Sequence, residues 1–173
     1  MKKILMILFV CLSTLVKAQS SLCPYLQPFS GEWMCTNGQD TIRIYFRYHE
    51  MNFNMQQNDI RGRLFGWHEY KRGNTIVESN YANRFITLPS LFDDLSPSSY
   101  SILLVMPNCD VSRQRIRGDI TDLSQCGEHK DVTIIFNTTQ TQLTWKQIQP
   151  TGFGFKTGCK GMTLPSNFVL TKQ

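Results

Sequence analysis

From Asp40 to Tyr48 the chain alternates with a period of two. Ile42, Ile44, Phe46 and Tyr48 fall on one side; Thr41, Arg43, Tyr45 and Arg47 fall on the other. A strand with one buried and one solvated face needs that period. The run before it, GEWMCTN from Gly31, reads as the partner strand, and Asn37-Gly38 predicts the positive-φ pair of a two-residue hairpin turn. Met51, Phe53 and Met55 keep a weaker alternation, which predicts a further strand over 50–57.

Later segments repeat the design. GRLFGWHEY from Gly62 and TIVES from Thr75 predict a second hairpin across Lys71-Arg72-Gly73-Asn74. Here Leu64, Gly66, His68 and Tyr70 share one face, while Phe65, Trp67 and Glu69 share the other, so neither face is expected to be fully wet. Gly66 between aromatics predicts a bulge or a close approach by another group. Ser101–Met106 is a nearly continuous apolar run and reads as a central strand. The stretches 113–120, 131–137, 141–148 and 162–172 each carry a strand pattern, with Ile116 and Ile120, then Val132, Ile134 and Phe136, then Leu143 and Trp145, facing inward. About ten short strands, polar turns and hardly any helix predict an all-β fold. Nearest-neighbour hairpins favour a single antiparallel up-and-down β-barrel of about 8–10 strands over 31–173, because closure removes exposed edges. Residues 19–30, with two prolines, read as an extended lead-in.

The N-terminus alters the charge argument. Lys2-Lys3, an apolar stretch from Ile4 to Val16, and Val16-Lys17-Ala18 match a secretory signal peptide over 1–18. The apolar run falls short of the roughly 20 residues of a membrane span. Cleavage after Ala18 takes Lys2, Lys3 and Lys17 away, so the balance moves from 18 basic against 13 acidic residues to 15 against 13. The expected destination is periplasm, cell surface or medium, with no integral span after cleavage. Arg113, Arg115 and Arg117 are the densest basic group, too short and isolated for a nucleic-acid stripe.

Five of the six cysteines survive cleavage. Export permits disulfides, and an odd count leaves at least one thiol outside them within a single chain. Cys109–Cys126 is the favoured pair, since each borders a strand–turn–strand unit. No C-x-x-C pair occurs, and His49, His68 and His129 lack ligand spacing, so neither metal nor cofactor is expected. His68 reads as locally hydrogen-bonded. Asn80–Ser99 is a long irregular stretch, of a kind that is usually functional or mobile. The Gly152–Gly161 loop has no following helix to receive a phosphate.

F-S-G-E-W over Phe29–Trp33, GWHEYKRGNTIVES, and the ending LTWKQI…MTLPSNFVLTK resemble an uncharacterised family of secreted bacterial β-barrel proteins. More distantly, G-x-W on a first strand is similar to the lipocalin signature. That resemblance implies that Gly31 and Trp33 plug one barrel end; here the last strand offers Lys172 rather than an arginine to cover the Trp. The family resemblance implies no activity. A barrel of this strand number with aromatics on both strand faces reads instead as a secreted or periplasmic lipocalin-like module binding a small apolar ligand, with Trp67 and Tyr70 as candidate contacts. The alternative is a structural or surface-interaction barrel whose interior is filled by its own side chains. No nucleophile elbow or zinc helix suggests an enzyme. Protein partners are not specified by any motif.

Overall fold

A computed structural model describes residues 23–57, 59–106, 109–123, 129–148 and 162–173. The expected leader, Cys126 and the Gly152–Gly161 loop lie outside these residues. The chain forms nine strands: β1 (Gly31–Asn37), β2 (Asp40–Asn52), β3 (Ile60–Arg72), β4 (Thr75–Ser79), β5 (Ile102–Val105), β6 (Arg115–Thr121), β7 (His129–Phe136), β8 (Gln142–Ile148) and β9 (Asn167–Lys172). Eight of them, all but β4, pair antiparallel in a closed ring, and β9 returns to β1 through Trp33↔Lys172 and Met34↔Thr171. The up-and-down barrel read from the alternation is the fold.

Two local expectations shift. The first turn is Gly38-Gln39, not Asn37-Gly38, because Asn37 stays in the ladder opposite Asp40 and Gly38 takes φ +60°. Positive φ at the first of two loop positions is where a glycine is needed. There is also no separate strand over 50–57. β2 runs unbroken to Asn52, paired with Ile60, and the chain turns there, with Asn54 carbonyls and side chain capping the bend.

The ring excludes β4 for a reason of length. β3 has 13 residues, and its far edge is divided: Leu64–Gly66 pair with β5, whereas Glu69–Arg72 pair with β4 after a bulge at Tyr70/Lys71. The segment between β4 and β5 must therefore leave the sheet and return. It crosses the outer wall as short 3-10 turns at Tyr81–Phe85, Phe92–Asp94 and Pro97–Ser99.

Both faces of β3 are consequently buried. Inside, Trp33, Ile44, Phe46, Leu64, Ile102 and Trp145 have no exposed surface. A Cβ on Gly66 would sit 2.8 Å from the Ile102 Cβ, so the glycine is there to let β5 and the Phe46 ring close in. Outside, Met51, Phe65, Trp67 and Leu88 form a second core under the 80–101 segment. Trp67 Nε1 donates to the Ser99 carbonyl at 2.7 Å, which pins that segment to the wall.

One end of the barrel is stoppered. The lead-in is not extended over its described part; Pro24–Phe29 is a 3-10 turn that buries Leu26 and Phe29. Trp33 Nε1 donates to the Phe29 carbonyl at 2.8 Å, the Phe29 and Phe136 rings lie 4.7 Å apart, and the Lys172 ammonium stands 5.6 Å from the Trp33 ring centroid. The disulfide differs from the expected pair. Cys109 bonds to Cys23, with Cα atoms 5.4 Å apart and a sequence separation of 86, so it is not available to Cys126. The bond ties the stopper to the loop after β5, a closure that no strand–turn–strand argument could indicate. Cys35 is a free, half-buried thiol whose pKa is pushed up by burial.

Closing a loop of this length removes much unfolded-state entropy. Cys23→Ser is expected to lose about 4–5 kcal/mol, read as a lower urea midpoint. An unchanged midpoint would mean that the stopper holds without its bond.

Candidate functional site

Dividing the edge of β3 leaves a gap in the wall between β4 and β6, and polar side chains close it. Ser101 spans from β3 to β6 through its backbone, donating to Gly66 O at 3.0 Å and accepting from Thr121 N–H at 2.8 Å. Beyond that point no described ladder joins β4 to β6. Instead the Glu78 carboxylate accepts the Leu123 N–H at 3.2 Å, and Asp122 accepts the Thr163 N–H at 2.9 Å. Side chains here do what a ladder does elsewhere.

His68 stands at the centre, fully buried on the inner face of β3. Its Nδ1 lies 2.8 Å from Ser101 Oγ and its Nε2 lies 3.2 Å from Glu78 Oε1. Asn80 clasps the same place, accepting the His68 N–H at 2.9 Å and donating its own N–H to the His68 carbonyl at 3.0 Å. Burial pushes the Glu78 carboxyl up, but the His68 ring, Thr163 and the Leu123 N–H outweigh it, and the net shift is downward. His68 Nε2 and Glu78 Oε1 are close without hydrogen-bond geometry, and Asn80 Nδ2 is buried with no hydrogen-bond partner among the described residues.

Ser101, His68 and Glu78 are the residue types of a nucleophile–base–acid relay. The chemistry is blocked by access: Ser101 is 1 % exposed, and its hydroxyl is directed to Gly66 O and Asn80 Oδ1. The cluster is a polar seam. His68 was legible in the sequence as a hydrogen-bonding residue; Glu78, Asn80 and Ser101 carried no local signal, because only the divided edge brings them together.

The chain belongs to DUF6705. The model of that family of unknown function matches residues 1–173. No curated protein and no solved structure matches the chain. The candidate contacts of the DUF6705 barrel are not brought together: Trp67 lies outside the wall, and Tyr70 lies inside it, its hydroxyl donating to Asp40 at 2.9 Å. Gly31, at φ +114°, opens β1 beside Lys172, and Trp33 sits under the stopper. Among the described residues of this DUF6705 chain, no group of three His, Cys, Asp or Glu is placed to hold a metal ion. No helix among them is long and apolar enough to cross a membrane.

The folded Glu78 pKa lies below the ordinary value of 4.5, so its ionised form stabilises the fold above that pH. The contribution is lost as pH falls through the folded pKa. Glu78→Gln is expected to flatten the fall in Tm below pH ~4.5 and to cost roughly 1–3 kcal/mol at neutral pH, the scale for leaving buried polar partners unsatisfied. Parallel Tm-against-pH curves for variant and wild type would contradict this account of the seam.

Proposed function

We propose that this is an exported barrel that acts through its outer surface, its interior being filled by its own side chains. The observation that carries the reading is the packing of the axis. The large interior side chains Phe29, Phe136, Trp33, Phe46, Trp145 and Ile102 are at most 4 % exposed. An eight-stranded ring is narrow enough for such groups to fill. Export is supported by the leader pattern over 1–18 and by a Cys23–Cys109 bond of the kind oxidising compartments retain.

A second reading, a small apolar ligand held inside, has one observation in its favour. Trp145 Nε1 is a buried donor with no hydrogen-bond partner among the described residues. A ligand acceptor would satisfy it.

Native mass spectrometry of the protein from its own secreting host separates the two. The expected result is a bare chain, shortened by the leader and carrying at least one disulfide. A discrete small-molecule adduct, lost on denaturation, would replace the first reading with the second.

A further inference from the structure

Deepening the surface reading, and resting on it, we propose that the Tyr81–Phe85 turn and the outer wall of β2 form a docking surface for an acidic polypeptide segment bearing one bulky apolar side chain. The wall of β2 points Arg43, Tyr45 and Arg47 outward, and the turn lays Tyr81, Arg84 and Phe85 over them. The Arg84 guanidinium stands 4.4 Å from both the Tyr81 and the Phe85 ring centroids. The Arg43 guanidinium stands 4.8 Å from the Tyr81 ring centroid, and the Tyr45 ring meets Phe85 edge-on at 5.6 Å. Arg47 is fixed by donating to the Arg84 and Ile86 carbonyls at 3.2 and 2.7 Å. Stacking of this kind holds long side chains in place before any partner arrives, which lowers the ordering cost of binding.

At the tip of the stack Phe85 is 68 % exposed. No packing requirement within the described residues explains a phenylalanine there, since the turn is already held by Tyr81 and Arg47. Charge chooses the partner. Arg43 is committed to Glu32 and lies near Glu69, and Lys71 is paired with Glu69. Arg47 and Arg84 take part in no ion pair among the described residues. Glu32 also feels the Arg84 charge, so Arg43, Arg47 and Arg84 outnumber Glu32 and Glu69, and this net positive surface beside one exposed ring complements a carboxylate next to an apolar group.

Other macromolecules fit less well. Among the described residues of the 80–101 segment Phe85 is the sole exposed large apolar side chain, too little to insert in a bilayer. Glu32 and Glu69 interrupt the basic surface that a polyphosphate backbone would need.

The test is selection of a phage-displayed random 12-residue peptide library on the exported chain, with Phe85→Ser and Arg84→Glu as comparison proteins. Both positions are at the surface, so unchanged Tm values certify folding. Enriched peptides should carry Asp or Glu beside Leu, Ile, Phe or Trp. Their binding should weaken roughly tenfold in either variant and fall with added salt. Enrichment that is indifferent to both substitutions, basic consensus peptides, or no enrichment would overturn the assignment. So would Phe85-dependent binding to anionic vesicles or to single-stranded DNA in place of peptide. These failures leave a bare native mass untouched, whereas an interior adduct defeats the surface reading itself.

Discussion

A thirteen-residue β3 offers more edge than the four-residue β5 can use, and most of the architecture follows from how the surplus is spent. β4 takes the upper part of the edge, so the ring closes without it, and the chain must cross the outer wall to reach β5. That crossing buries the outer face of β3 beneath the 80–101 segment. It also leaves a break between β4 and β6 that His68, Glu78, Asn80 and Ser101 fill. The second core, the polar seam and the outer stack of aromatic rings and arginines are thus consequences of one pairing choice.

The stopper and the seam are held by different chemistry. The stopper is held by apolar burial of Leu26 and Phe29 and by a covalent bond to Cys109. At the seam the groups are ionisable and buried, where unpaired polar atoms cost most and satisfied ones specify a unique arrangement. Closure by side chains in place of a ladder makes the seam an acid-sensitive part of the wall through Glu78.

Alternation was legible wherever one face of a strand meets the core, as in Ile42, Ile44 and Phe46 or Val132, Ile134 and Phe136, because burial imposes the period directly. The aromatics on both faces of β3 signalled a second covering layer, although periodicity does not name the segment that supplies it. The hairpin turn moved by one residue because φ > 0 falls on Gly38 while Asn37 can remain paired. The Cys23–Cys109 bond and the Glu78–His68 contact were hidden for a common reason. Each joins segments whose proximity is set by ring closure and by the division of the β3 edge, which no local pattern encodes.

The central claim is that the interior is full and the outer surface acts. It is tested most directly by the three indole N–H resonances, since two are tied to carbonyls, Trp33 to Phe29 and Trp67 to Ser99, and Trp145 is a buried donor without a hydrogen-bond partner among the described residues. Titration with a panel of apolar probes such as medium-chain fatty acids and aromatic alcohols, followed by NMR, should leave the Trp145 and Trp33 signals in place. A saturable shift of the Trp145 indole by any of these probes would contradict the account and show a barrel that opens to hold a ligand.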